Sequence, residues 1–369
     1  MRYFVKEIVV DEAGRQTAAS KARDDADAIL TSLGYWPLEI HEDEEARAHQ
    51  NALQKAGSHV SFYQEWKRLC APLASGDVLV VQFPARSHSI LLSRLFADLR
   101  RRGVVLVLVI HDLEILRAGR RAELSGREKW RLNKEEVEAL RLSSRIIAHN
   151  DSMASRLIEL GVPASSIVVL GLFDYLMDDF DAARMGARHI DASGPVVIAG
   201  NISRDKAGYA YDLPVGLHVN LYGPNYTGAA AQKSTPESAG QPVRYFGSFD
   251  PNDLPYRLEG SFGLVWDGPT ASTCAGPYGE YLRINNPHKC SLYLASGLPV
   301  AIWRDAALAD FVRENDCGLA VESLMELRQV LERLDGQRYE QMRRNAETIG
   351  RRLRGGYYLT NALENALTR

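Results

Sequence analysis

Strands that alternate with helices, twice over along 369 residues, predict an α/β protein with two doubly wound parallel sheets. Three observations carry that prediction. The chain is long for one hydrophobic core, so two domains of ordinary size are expected. Its 46% hydrophobic and 25% charged composition is that of a folded globular protein. Short β-rich runs are each followed by a segment of helical periodicity rather than by a hairpin turn.

In the first half the β-rich runs are Tyr3–Val10, Val78–Phe83, Val104–Ile110, Arg145–His149 and Ile167–Leu170. Helical patterns lie between them at Ala18–Leu33, Ser87–Arg102 and Asn150–Leu160, the last with an Asn cap and Gly161 as its stop. Phe173–Ser193 is irregular and acidic, and reads as a crossing between domains. The second series of strands is Pro195–Ala199, His218–Tyr222, Val243–Phe246, Phe262–Trp266, Leu298–Trp303 and Gly318–Val321. Its helices fall near Pro251–Leu258, Pro287–Ser296, Asp305–Asn315 and Ser323–Leu334. Pro224–Pro242, rich in Gly, Ser, Ala and Pro, reads as a surface loop. Tyr339–Leu353 and Tyr357–Leu367 close the chain as helices, with Gly355–Gly356 between them as the place to cross back. The expected division is 1–175 together with 355–369, and 176–354. Two such domains facing one another form a cleft at the carboxyl ends of their strands.

Several function classes are disfavoured. A net charge of −3 gives no reason to expect a nucleic-acid partner. Cys70, Cys274, Cys290 and Cys317 are scattered without C-x-x-C spacing, which indicates neither a disulfide framework nor a zinc site. No G-x-G-x-x-G follows the first strand, and no Walker-type P-loop or G-x-S-x-G elbow occurs. MRYFVKEIVV has no signal-peptide character, and the longest apolar run, Val104–Ile110, is too short to span a bilayer. A cytoplasmic setting is therefore expected. The basic Arg117–Arg131 stretch could touch anionic lipid head groups, although a solvated helix face explains it better.

One helix places charge where helix physics disfavours it. Asn286 followed by Pro287 reads as a cap and a first helical residue, and Gly297 as the stop. A first turn carries exposed N–H donors and favours acidic residues, yet this one has His288 and Lys289. A bound phosphate or pyrophosphate relieves that conflict; a solvated Lys289 is the alternative. The approach to the helix carries Glu280, Arg283, Asn285 and Asn286. No Asp-x-Asp follows a strand of the second series to offer a metal bridge for a diphosphate, so the helix end and Lys289 would serve as its counter-charge.

Four loops follow second-domain strands and open toward the same edge: Gly200-Asn201, Tyr222-Gly223, Tyr245 to Ser248, and Trp266-Asp267-Gly268. Glycine there lets backbone approach a ligand, Tyr offers a stacking face and Asn a donor–acceptor pair. In the first half, His111-Asp112-Leu113-Glu114 closes the most apolar strand. A displacement reaction needs a base beside the attacking hydroxyl, and Asp112, Glu114 and His111 stand in position for it. An acidic cap on the next helix is the competing role. The polar segment Gly14–Arg23 could line an acceptor side, with Lys21 and Arg23 read equally well as solvated.

VIHDLEILR (109–117), IIAHNDSMASRLIELGV (146–162), LGLFDYL (170–176), GLVWDG (263–268) and GEYLRINNPHKCSLYLASGLPV (279–300) resemble a known family. They are similar to the bacterial glucosyltransferase-3-like and β-1,6-galactofuranosyltransferase group of GT-B glycosyltransferases. The resemblance implies two facing Rossmann-like domains, a C-terminal helix that returns to the first, a UDP-sugar donor and no metal. It implies transfer of glucose or galactofuranose to a sugar hydroxyl of a surface polysaccharide or a glycoprotein glycan, with inversion as the expected course. Lys289 would meet the diphosphate, with Asn201, Tyr222, Gly223, Tyr245, Asp267, Glu280, Asn286 and His288 around the donor. Thr17 and His111 would lie on the acceptor side. A homo-oligomer is also implied. A sugar-nucleotide epimerase, or a non-catalytic subunit that binds the sugar nucleotide, remains the alternative.

Overall fold

The computed structural model describes residues 1–9, 18–42, 52–87, 89–117, 124–228 and 242–368. Thr17, the 118–123 part of the basic stretch and residues 229–241 of the Gly/Ser-rich loop lie outside them. The chain divides into two compact units. The first comprises the first strand, Arg23–Gly171 and the chain from Leu359 onward; the second comprises Leu172–Tyr358 with the first turn of the opening helix up to Ala22.

The first unit holds a sheet of six parallel strands: β1 (Arg2–Val9), β2 (Trp36–Glu42), β3 (Val78–Phe83), β4 (Val105–Ile110), β5 (Arg145–Ala148) and β6 (Ile167–Val169). Their order is β2-β1-β3-β4-β5-β6. Every β3 residue is buried and β4 is buried from Leu106 onward, as expected of central strands covered on both faces. The sequence reading missed β2, because Pro37 breaks a central-strand pattern. β2 is the edge strand, where a missing N–H is tolerated. It also missed the Ala52–Leu69 helix, whose apolar face is weak apart from Trp66, which is fully buried.

The second unit holds β7 (Val196–Ala199), β8 (Val219–Tyr222), β9 (Val243–Gly247), β10 (Gly263–Val265), β11 (Val300–Trp303) and β12 (Gly318–Val321). Their order is β12-β11-β10-β7-β8-β9, all parallel, so the chain reverses its direction of travel between β7 and β10. Connections leave the carboxyl ends of those two strands in opposite directions, and the crevice this opens is where such sheets bind ligands. All six strands stand where the periodicity put them, within a residue or two at the ends. The helix expected over Pro251–Leu258 is only a single turn of tighter helix, Leu254–Tyr256.

The His288–Ala295 helix is seated directly on this reversal. Gly263 of β10 leaves room for the Tyr293 ring: a methyl group there would lie 2.0 Å from the ring. The Tyr293 hydroxyl in turn accepts the Ala199 N–H at 2.7 Å, at the end of β7. One side chain thus joins the helix to both strands that flank the crevice. Arg188 holds the other end, donating to the carbonyls of Pro255, Leu258 and Ser296. Replacing Gly263 by Ala must displace the Tyr293 ring from a closed core. The expected cost is about 1–3 kcal/mol of unfolding free energy in denaturant titration, and Tyr293→Phe at the parent Gly263 should cost less.

Candidate active site

The four loops expected at the carboxyl edge of the second sheet are there, and each turns through a left-handed glycine. Gly200, Gly223, Gly247 and Gly268 have φ of 125°, 142°, 79° and 123°. Their reasons differ. A Cβ on Gly223 would lie 1.9 Å from the Gly200 carbonyl oxygen, so this glycine serves a crossing of two backbones. Around Gly200 nothing stands within 4 Å of where a Cβ would be, so its backbone faces open space at the end of β7. The Gly268 N–H donates to the Lys206 carbonyl at 2.8 Å, which draws the β10 loop against the Arg204–Ala207 turn that follows β7.

Lys289 projects into this edge from the first turn of its helix. Its ammonium donates to the Trp266 carbonyl at 3.1 Å and to Asp267 Oδ1 at 2.7 Å. Both charges are largely buried, with side chains 13% and 8% exposed. Two of the three ammonium hydrogens are taken by the end of β10. The helix itself begins one residue later than the sequence suggested. Pro287, not Asn286, holds the cap position, and no side chain caps the first turn. Asn286 is buried beside it.

His288 does not share the anion role in the way its position suggested. Its ring stacks on Tyr175 at a centroid distance of 5.0 Å, meets Phe173 edge-on, and bonds the Asp174 carbonyl at 3.3 Å. Burial lowers its pKa to about 4, the Asp174 carbonyl opposes that, and the Lys21 charge adds to it. Lys21 lies over the same Tyr175 ring and donates to the Leu176 carbonyl. The imidazole is therefore neutral at pH 7, and of the two basic residues in the first turn only Lys289 brings charge.

The remaining donor-side candidates separate into surface and core. Asn201 is exposed, and its Oδ1 accepts from the Ser203 N–H and from Asn225 Nδ2. Tyr245 donates to the Gly223 carbonyl at 2.9 Å and packs on Tyr226, which packs on Tyr211. That aromatic row had no sequence signal, since its members come from three separate segments of the chain. Tyr222 is a correction: its ring is fully buried, stacked on Phe246 at 4.8 Å, and its hydroxyl receives the Glu259 N–H, so it offers no open stacking face. Glu280 is exposed and pairs with Arg283. Two further residues carry unsatisfied buried atoms, the Tyr209 hydroxyl and Asn285 Oδ1. Tyr209 feels the Asp267 charge, and burial drives its pKa up.

At the end of β4 in the first unit, both candidate carboxylates stand in ion pairs. Asp112 meets Arg117 at 2.6 Å, and Glu114 meets Arg131 at 2.8 Å. Neither caps the short Glu114–Arg117 helix. That is done by Glu136, whose two oxygens take the Glu114 and Ile115 N–H groups, each at 2.9 Å. Burial pushes the Glu136 carboxyl up to about 7, against those two hydrogen bonds. Asp112 Oδ1 is buried without a hydrogen-bond partner among the described residues. Its charge acts on His149, a fully enclosed imidazole lowered to about 4 mainly by burial. His111 bonds Gln82 Oε1 through Nε2 at 2.6 Å. No group of three or more His, Cys, Asp or Glu among the described residues could hold a metal ion.

Two measurements test this electrostatic arrangement. Lys289→Met strands a buried carboxylate and should lower stability by about 3–5 kcal/mol, and adding Asp267→Asn should recover part of that loss in a double-mutant cycle. For His288 the folded pKa lies below the unfolded one, so between pH 6.5 and about 4 the unfolded chain binds the extra proton and stability falls with pH. The parent should therefore lose stability more steeply across that range than His288→Phe, as read by chemical denaturation at each pH.

The family models and the curated relatives agree on one family. The model of the glucosyltransferase 3-like N-terminal domain matches residues 2–172, and that of the C-terminal domain matches residues 196–366. The β-1,6-galactofuranosyltransferase WbbI of Escherichia coli K12 is 34% identical over 307 residues, covering 81% of each chain. Glucosyltransferase 3 of Streptococcus gordonii is 24% identical over 302 residues, again 81% of each. Among solved structures, Anabaena HepE in complex with UDP superposes with a TM-score of 0.58 at 13% identity over 99% of both chains. That likeness establishes the GT-B architecture. With both family domains matched along its length, the chain belongs to the glucosyltransferase-3-like family of glycosyltransferases.

Proposed function

We propose that this protein transfers a hexose, glucose or galactofuranose, from a UDP-sugar to a sugar hydroxyl of a surface polysaccharide or a glycoprotein glycan. The single observation that carries the reading is Lys289 at an uncapped helix start, seated on the β7–β10 reversal. Uncapped N–H groups, an ammonium with one hydrogen to spare and the open backbone of Gly200 form a site for a diphosphate. Asp267 fixes where the ammonium sits, so the charge meets the leaving group without having to be ordered first. Tyr245, Asn201 and Glu280 line the nucleotide-sugar side in this reading.

The reaction proceeds by displacement at the anomeric carbon with inversion and without a metal. Its proton acceptor lies in the His111–Glu114 turn that ends β4. No helix among the described residues is long and apolar enough to cross a membrane. We place the protein in the cytoplasm as a homo-oligomer, with any membrane contact peripheral.

Calorimetry with the Asp267→Asn/Lys289→Met double variant tests the site, because that variant leaves no buried charge unpaired. It should bind UDP at least about tenfold more weakly than the parent, the value of one charge-assisted hydrogen bond. Equal affinity would remove Lys289 from the phosphate site. UDP release from UDP-glucose, UDP-galactose, UDP-galactofuranose and UDP-GlcNAc with a panel of glycan acceptors identifies the donor. EDTA should leave that release unchanged.

A further inference from the structure

The first sheet has a second edge, at the amino ends of its strands, away from the His111–Glu114 turn. There the first residues of four adjacent strands stand side by side: Arg2 of β1, Val78 of β3, Val105 of β4 and Arg145 of β5. A cavity of about 530 Å³ opens among them. Ala366 and Leu367, near the end of the closing Tyr357–Thr368 helix, also line it, as does Ser144, which leads into β5. Every one of these residues belongs to the first unit, so the cavity is formed without the second.

The chemistry of the lining is one-sided. Arg145 is held by two backbone carbonyls: its Nε donates to Ala366 at 3.0 Å and its Nη1 to Ser144 at 2.8 Å. Those bonds fix the plane of the guanidinium and leave Nη2, with two hydrogens, unpartnered among the described residues. Arg2 lies over the Tyr35 ring at 5.7 Å and pairs with no carboxylate among the described residues. Ser144 Oγ accepts the Leu106 N–H at 3.1 Å, and a hydroxyl that accepts keeps its own hydrogen to donate. The acid closest in sequence, Asp77, is turned instead to the Met1 ammonium and the Ala74 N–H. Two guanidinium charges and a hydroxyl thus line one cavity, and no acidic side chain among the described residues lines it with them.

We propose that this cavity binds a phosphate group, as the free ion or as a phosphomonoester, between Arg2 and Arg145. Guanidinium forks match the spacing of phosphate oxygens, and two of them balance the charge of a dianion. A carboxylate has oxygens for one fork, whereas a tetrahedral phosphate has oxygens for both arginines and for the Ser144 hydroxyl. The volume exceeds that of the ion itself, which leaves room for the group that carries it. Arg145 already bonds the Ala366 carbonyl, so a phosphate here ties β1 and β5 to the end of the chain. Occupancy therefore stabilises the first unit. The site is independent of the transferase reading, which places the diphosphate on the second unit.

The test uses the full chain with no residues added at either end, at constant ionic strength and a pH where phosphate is a dianion. Calorimetric titration with sodium phosphate, and separately with glycerol phosphate, should show one saturable site. The tighter of the two ligands identifies whether the free ion or the ester is preferred. The melting temperature should rise with the concentration of either. Arg2→Gln removes an exposed side chain and leaves the Arg145 bonds intact. It should weaken binding about tenfold, with the melting temperature of the unliganded protein unchanged. Arg145→Gln should abolish saturable binding, and if that variant does not fold, Arg2→Gln decides alone. The Asp267→Asn/Lys289→Met variant should bind phosphate as the parent does. No saturable binding by the parent overturns the proposal, as does parental affinity in Arg2→Gln. Loss of binding in Asp267→Asn/Lys289→Met assigns the phosphate to the helix start instead, and acetate binding as tightly as phosphate overturns the choice of ligand.

Discussion

The contact on which the site depends is the seat of the His288–Ala295 helix on the β7–β10 reversal. A parallel sheet can bind a ligand at its carboxyl edge only where neighbouring connections part, and this helix begins at that point. Gly263 lets it approach closely enough for Tyr293 to reach the Ala199 N–H. That places the first turn, and Lys289 with it, over the ends of the same two strands. The close packing of Gly263 against Tyr293 is therefore a condition of the electrostatics and not only of stability.

The charge at this helix start is smaller than a count of basic residues suggests. His288 is neutral because its ring is enclosed by Tyr175, Phe173 and the Asp174 carbonyl. Lys289 is matched by Asp267 at 2.7 Å. In the proposed diphosphate site, what is left for an anion is a set of directed hydrogen-bond donors of low net charge. Such a site favours a ligand whose oxygens fit the donors over anions in general, since a buried pair fixes geometry more than it adds attraction.

Much of the fold was legible in the chain. Apolar runs of strand length, each followed by helical periodicity, marked five strands of the first sheet and all six of the second. The four glycine turns were visible because glycine after a strand is a local signal, and all four adopt positive φ. The Asn150 cap was equally local and receives the Met153 N–H as expected. β2 and the Ala52–Leu69 helix escaped because their signals were overridden, by Pro37 in one case and by a weak apolar face in the other. The Tyr211–Tyr226–Tyr245 row and the hydrogen bonds of Gln82 to Asp27 and His111 left no trace, since each joins residues from separate elements.

By itself, the sequence determined the two parallel α/β sheets, the glycine turns at their carboxyl ends and the basic first turn at residues 288–289. These are short-range properties, set by periodicity, caps and the freedom of glycine. Only the tertiary structure decided which of those residues carry charge and which are core. Tyr222 lies inside against Phe246, His288 is enclosed and neutral, and Lys289 is bound to Asp267. Burial and partner geometry set those states, and both are made by residues far apart in the chain.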